Sequence, residues 1–250
     1  MIRLSDLKIK IFADGAELNL IAQTAADPLI RGYTTNPTLM RKANVRDYRA
    51  FAYEFLSIVP DRPVSFEVFS DDFEEMERQA HEIASWGGNV YVKIPVTNTK
   101  GRFSGGLIGR LTRAGVRVNV TAIMTEPQIL RVVDRLESGV GAFVSVFAGR
   151  IADTGRDPVP LMRRAVELLR PLARTELIWA SPRELLNVFQ AEAVGCQVIT
   201  ATKDLLAKLS TIGKDLDEYS LETVRMFYGD AASAGYSIEC GAMSSGGLRS

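Results

Sequence analysis

Asn89-Val90-Tyr91-Val92-Lys93-Ile94-Pro95-Val96-Thr97 is the stretch on which the organisation of this chain turns. Its apolar residues are almost continuous and are β-branched or aromatic. That is the pattern of a strand covered on both faces, as in a parallel sheet. One lysine stands in its middle. A buried ammonium is costly unless it is paired or neutralised, and burial lowers a lysine's pKa because desolvation disfavours the charged form. A lysine that is neutral near pH 7 attacks carbonyl carbon and can form a Schiff base. Pro95 brings the strand to its end, so Lys93 falls near the carboxyl terminus of the strand. Taken alone, Lys93 could also be paired with a buried carboxylate or could snorkel toward solvent.

Outward from this strand, the pattern alternates. Before it, strands are predicted at Lys8 to Ala13, ending at Asp14, at Gly32 to Thr35, closed by Asn36-Pro37, and at Pro63 to Val68, which carries Glu67. Helices are predicted between them, from Glu17 to Ala26, Val45 to Val59 and Asp71 to Trp86, the last opened by acids that suit the helix dipole. After it, strands are predicted at Val116 to Thr121, Ala142 to Phe147, Leu177 to Ala180 and Gln197 to Thr200. The matching helices are Leu107 to Ala114, Glu126 to Leu136, Pro158 to Leu172, Arg183 to Ala193 and Asp204 to Leu209. A further helix is expected from about Leu216 to Ala234. Eight strands alternating with helices predict an α/β fold, a (β/α)8 TIM barrel with an extra C-terminal helix. The expected organisation is one domain over residues 1–235, followed by a disordered Gly- and Ser-rich tail over 236–250. An open doubly wound sheet is the alternative, and no Gly-rich dinucleotide fingerprint follows the first strand to support it.

Composition narrows the function. The 250 residues carry no formal net charge, 46% are hydrophobic, and nothing basic favours nucleic acid. No apolar run approaches the ~20 residues a membrane helix needs. Met1-Ile2-Arg3-Leu4-Ser5-Asp6 carries an acid and no apolar core, so it does not read as a signal peptide. The two cysteines, Cys196 and Cys240, form neither a metal spacing nor a disulfide framework, and a reducing cytoplasm fits. The only histidine, His81, sits among Glu77, Arg78 and Glu82 on a polar helix, where a solvated side chain is the simpler reading.

In a barrel, reactive groups collect at the carboxyl ends of the strands. The polar residues predicted there are Asp14, Asn36, Glu67, Lys93, Asn119 with Thr121, Ser145, and Ser181 with Arg183. Each has a duller role open to it. Asp14 and Ser181 could cap helices, Asn36-Pro37 is a common turn pair, and Thr121 could simply fill a strand. Their coincidence around one lysine is what points to a site.

Thr34-Thr35-Asn36-Pro37 followed by Tyr91-Val92-Lys93-Ile94-Pro95-Val96-Thr97 resembles the two signature segments of transaldolases and their small relatives, the fructose-6-phosphate aldolases. The likeness runs in order through Asp14, Glu67, Asn119-Val120-Thr121, Ser145 to Arg150 and Ala180-Ser181-Pro182-Arg183, covering about residues 8 to 210. The resemblance implies a Schiff-base transferase on ketose phosphates, of the pentose phosphate pathway type, in which Lys93 forms the imine and no metal or organic cofactor takes part. It implies that Asp14 takes the proton from the donor's C4 hydroxyl, and that Glu67 and Thr121 shuttle a proton through a water. It assigns Thr35, Asn36, Asn119 and Ser145 to the donor, and Arg150 and Arg183, with Ser181 beside them, to its phosphate. From the residues alone, either arginine could instead be a surface ion-pair partner.

Two positions speak to the subfamily. Glu67 and Phe147 stand where the fructose-6-phosphate aldolases usually carry Gln and Tyr, and both favour transfer over release of free dihydroxyacetone. Gly15 after Asp14, and Val146, depart from the family's usual residues without removing a catalytic group. An aldolase-like lyase, or a relative acting on an unusual biosynthetic sugar, would show the same residues. A sugar-phosphate-binding barrel without turnover would be expected to lack Lys93, Glu67 or Asp14. A deoxyribose-phosphate-type lyase would need a second lysine, for which Lys203 is the near candidate. The expected partners are sugar phosphates and further copies of the chain, joined through the apolar face of the C-terminal helix.

Overall fold

The computed structural model describes residues 6–240. The chain divides into two compact units, Leu4–Ser210 and a C-terminal unit beginning at Thr211. The first contains eight parallel strands in sequence order, closed into a barrel. They are β1 Lys10–Asp14, β2 Ile30–Thr34, β3 Val64–Glu67, β4 Val90–Pro95, β5 Val118–Ile123, β6 Ala142–Val146, β7 Thr175–Trp179 and β8 Val198–Thr202. The helices between and after them are α1 Leu18–Ala25, α2 Pro37–Lys42, α3 Tyr48–Ile58, α4 Phe73–Ser85, α5 Gly105–Arg113, α6 Glu126–Val133, α7 Ala148–Ala152, α8 Val159–Leu169, α9 Leu186–Ala193 and α10 Lys203–Ala207. The C-terminal unit contains α11, Leu216–Ser233, capped by Asp215, whose side chain accepts from the Asp217 and Glu218 amides. The expected (β/α)8 barrel with an extra helix is what the chain forms. Of the tail expected to be disordered, 236–250, residues 241–250 lie outside the described residues, and 236–240 form no helix or strand.

Alternation along the strands sets up two cores. Facing outward, Val64, Phe66, Val90, Val92, Ile94, Val118 and Val120 are buried under the helices. Each such side chain contributes roughly 1.5–3 kcal/mol on burial. Around Phe66 this layer is aromatic, with the rings of Phe51, Phe55 and Trp86 edge-on to it at 5.7–6.5 Å. Facing inward, Phe12, Phe143, Ile178 and Val198 fill the middle of the barrel. Phe12 and Phe143 meet edge to face at 5.5 Å. Gly32 lies across from Phe12, and a Cβ there would come within 2.5 Å of the Phe12 ring. The inward residues one step further along the strands are Asp14, Lys93, Ser145 and Thr200, so the apolar plug is the floor of the carboxyl-end mouth.

The structure adds two short helices to those expected, α2 and α7. Asn36-Pro37 reads as a turn pair, yet here Asn36 is the N-cap of α2, accepting from the Leu39 amide at 3.0 Å, with Pro37 at the first helical position. α7 has five residues, too few to show a period. β5 runs two residues beyond its expected end at Thr121, to Ile123, and within that extension Ala122 takes a left-handed conformation (φ 63°) and the register with β6 shifts. Such irregularities re-aim a side chain where a strand meets a site. Cys196 is buried, and burial pushes its thiol up to about 12, so it is an inert filler.

Candidate active site

Register brings the reactive groups together. Lys93 on β4 lies directly across from Glu67 on β3 and Asn119 on β5, and Pro95 lies across from Thr121. Lys93, 6% exposed, donates from Nζ to the Thr35 carbonyl at 2.7 Å, and Nζ lies 3.5 Å from Glu67 Oε2. Both readings of the lone lysine therefore meet in one residue. It is buried and paired with a carboxylate, and it sits at the floor of an open cavity.

That cavity has a volume of about 410 Å³. Asp14, Asn36, Glu67, Lys93, Thr121, Ser145, Arg150, Ser181 and Arg183 all line it, together with Thr34, Phe147 and Thr200. Asp14 accepts from the Thr34 hydroxyl at 2.8 Å, and Thr34 in turn meets the Thr200 hydroxyl at 2.5 Å. Burial pushes the Asp14 carboxyl up from its ordinary value, and the Lys93 charge and the Thr34 bond offset only part of that rise. A carboxylate held this way is a better base than one in water. Thr121 is buried, and its hydroxyl has no hydrogen-bond partner among the described residues, a buried polar group left unsatisfied beside the cavity.

Two of the expected donor contacts lie elsewhere. The Thr35 hydroxyl is turned away, donating to the Ser65 carbonyl at 3.1 Å, and only its backbone carbonyl meets Lys93. Asn119 is fully buried and does not line the cavity. Its amide donates to Ser65 at 3.0 Å, and its carbonyl oxygen accepts from Ser145 at 2.7 Å. Asn119 thus holds Ser145 at the cavity wall.

The arginines enter from α7 and from the segment after β7, which are locked to each other. Gly149, at the start of α7, lies so close to the end of β7 that a Cβ would sit 1.5 Å from the Ser181 carbonyl oxygen. Ser181 itself adopts a left-handed backbone (φ 58°). A non-glycine residue held there is a small store of strain of the kind that gathers at binding sites. This contact brings Arg150 and Arg183 to one side of the mouth. Arg183 Nε donates to Asp153 Oδ1 at 2.8 Å, and a second guanidinium nitrogen donates to the other carboxylate oxygen. Arg150 lies 5.9 Å from the Phe147 ring centre.

Sequence reasoning missed three residues that shape this site. Asp153 follows α7, which periodicity did not reveal. Thr34 lies within the quoted Thr-Thr-Asn-Pro segment but had no partner until β1 and β2 were paired. Tyr48 reads as one of the apolar residues of its helix. In the fold its hydroxyl accepts from the Glu67 amide at 2.7 Å and donates to the Glu67 carbonyl at 3.1 Å, clamping the backbone that carries the carboxylate. Burial pushes the Tyr48 phenol up from its ordinary value, so it stays a neutral donor.

Fold and site together define a lysine-centred (β/α)8 barrel with paired carboxylates and an arginine rim. The sequence pattern of the Transaldolase/Fructose-6-phosphate aldolase family matches residues 11–239. A protein of Dehalococcoides mccartyi named probable transaldolase is 35% identical over 205 residues, spanning 80% of this chain and 90% of that protein. A probable transaldolase of Caldicellulosiruptor saccharolyticus is 35% identical over 205 residues, spanning 81% and 89%. Among solved structures, KGPDC from Streptococcus mutans superposes with a TM-score of 0.55 at 10% identity, over 78% of this chain and 88% of that one, a likeness of fold. The chain belongs to the transaldolase/fructose-6-phosphate aldolase family. Among the described residues, no helix is long and apolar enough to cross a membrane.

Proposed function

We propose that this chain is a transaldolase, transferring a dihydroxyacetone unit from a ketose phosphate, such as fructose 6-phosphate or sedoheptulose 7-phosphate, to an aldose phosphate. The observation that carries the reading is Lys93, buried at the cavity floor with Glu67 3.5 Å away and Asp14 lining the same cavity. The Lys93 amine attacks the donor's C2 carbonyl to give a carbinolamine. Glu67, with a water held at Thr121, delivers the proton with which the C2 hydroxyl leaves as water. Asp14 takes the proton of the C4 hydroxyl, the C3–C4 bond breaks, and its electron pair flows into the iminium to leave an enamine on Lys93. The shortened aldose phosphate departs. An acceptor aldehyde is attacked by the enamine carbon, Asp14 returns the proton to the new hydroxyl, and hydrolysis of the imine frees the product ketose and Lys93. Two carboxylates of unlike surroundings can divide these roles. Arg150 and Arg183 hold the phosphate, for which the guanidinium fork is suited.

Phe147 lines the cavity with a ring that carries no proton, which favours transfer over protonation of the enamine and release of dihydroxyacetone. A fructose-6-phosphate aldolase-like lyase is the competing activity. A coupled assay with fructose 6-phosphate, with and without erythrose 4-phosphate, distinguishes them, with product expected only when the acceptor is present. Borohydride added with fructose 6-phosphate should leave a three-carbon adduct on Lys93. Lys93→Ala should fold and lose turnover by on the order of 10⁴-fold or more. An adduct mapped to any other lysine would end the assignment.

The chain is further proposed to be a cytoplasmic homo-oligomer. α11 carries Leu216, Phe227 and Tyr228, large apolar residues suited to self-association. Light scattering that returned 27.5 kDa, the monomer mass, at micromolar concentration would refute it.

A further inference from the structure

A cavity of about 730 Å³ opens at the amino ends of the strands, opposite the mouth that holds Lys93. Five cationic side chains line it, Lys10, Arg31, Arg62, Arg117 and Arg174, against two acids, Asp61 and Glu176. Among the described residues, only one of the five meets a carboxylate, through the Lys10–Glu176 pair at 2.5 Å. Arg62 gives its terminal nitrogens to the Ala25 and Asp27 carbonyls, and Arg174 gives one to the Gly139 carbonyl. Arg117, half-buried, lies 5.0 Å over the Tyr91 ring and makes no ion pair among the described residues. Arg31 makes no side-chain hydrogen bond or ion pair among the described residues. Phe12 and Phe143 form the inner wall, and the same two rings belong to the plug that separates this pit from the mouth.

Like charges gathered around a concavity repel one another, and the low-dielectric wall behind them focuses their field outward. Neutral carbonyls and an aromatic face hold the guanidinium groups in place without neutralising them, and each keeps donors to spare. We propose that this pit is a second ligand site, taking a compact anion that bears two or more phosphate groups. Arg117 and Arg31 supply unneutralised forks for phosphate oxygens, and Arg62 and Arg174 add charge at the rim. The plug makes the site independent of the sugar-phosphate reading of the mouth, because a molecule bound in the pit cannot reach Lys93.

The test is calorimetric titration of inorganic tripolyphosphate into the full chain at low and moderate salt. A saturable site distinct from any binding at the mouth is expected, with affinity falling steeply as salt rises. The Arg31→Gln/Arg117→Gln variant should bind at least tenfold more weakly at an unchanged thermal midpoint. An Arg150→Ala/Arg183→Ala variant, which strips the mouth of its own anion binders, should keep the pit site at the parent's affinity. Should the double pit variant fail to fold, Arg31→Gln alone, at an exposed position, should weaken binding by about threefold. The proposal is overturned if no saturable binding occurs at millimolar tripolyphosphate, or if binding disappears with the mouth arginines and survives in the pit variant.

Discussion

The two ends of this barrel are built on the same strands and separated by one layer of rings, yet they handle charge in opposite ways. At the carboxyl end, charged and polar groups answer each other. Lys93 faces Glu67 and the Thr35 carbonyl, Asp14 faces Thr34, and Asn119 bridges Ser65 and Ser145. At the amino end, guanidinium groups rest on neutral carbonyls and a phenol ring, with few acids near them. The first arrangement can cycle a proton among fixed partners. The second can only hold charge, and suits binding without chemistry. Phe12 draws the boundary: it is 1% exposed, and Asp14 lies two residues along the same strand.

The sharpest way to break the comparison is to remove the desolvated carboxylate at the carboxyl end. Burial raises the Asp14 pKa, so the folded chain binds that proton more tightly than the unfolded chain does. Its contribution to stability is complete below the ordinary carboxyl value of 3.8 and is lost as pH climbs through the raised value. Asp14→Asn should therefore lower kcat by about 10²- to 10⁴-fold while raising the melting temperature at neutral pH. The gain in melting temperature should shrink as pH falls toward the unfolded value. A variant that melted lower at neutral pH would show that Asp14 supports the barrel and is not held there at a cost to it.

Arg183 comes next in size. It is half-exposed and already paired with Asp153, so its role in the fold is small and its role in the mouth should show in substrate terms. Charge-assisted contacts contribute roughly 1.5–3 kcal/mol, so Arg183→Ala should reduce kcat/KM for a phosphorylated donor by about tenfold to a hundredfold. Unphosphorylated glyceraldehyde as acceptor should be affected much less. An equal loss with both would contradict the phosphate clamp and make Arg183 a structural residue.

The barrel was legible in the sequence because its strands are covered on both faces and its helices carry an apolar stripe, two patterns with distinct periods. Lys93 was legible for the opposite reason, as the one residue that breaks such a run. What the sequence hid was whatever depends on register or on elements too short to have a period. Thr35 stands in the signature segment beside Asn36, but alternation along the chain turns its hydroxyl to the Ser65 carbonyl. Asn119 reads as a residue at the mouth and proves to be buried beneath it. Asp153 gains meaning only once Gly149 has locked α7 against Ser181.

Tyr48 is the clearest case of function hidden in an apolar pattern, and it yields the smallest of these effects. Its hydroxyl bonds both the amide and the carbonyl of Glu67, and its ring packs against Phe66, Phe69 and Trp86. Tyr48→Phe keeps the ring and removes both bonds. Unpairing a buried backbone group costs about 1–3 kcal/mol, so some loss of stability is expected whatever the role. If Tyr48 is a positioning residue for Glu67, imine formation should slow by about tenfold, with KM for the donor unchanged, because the carboxylate loses its fixed aim at the carbinolamine. Stopped-flow trapping of the Lys93 adduct with borohydride would measure that step apart from carbon–carbon cleavage. A variant that melts lower but forms the imine at the parent's rate would leave Tyr48 as part of the aromatic core alone.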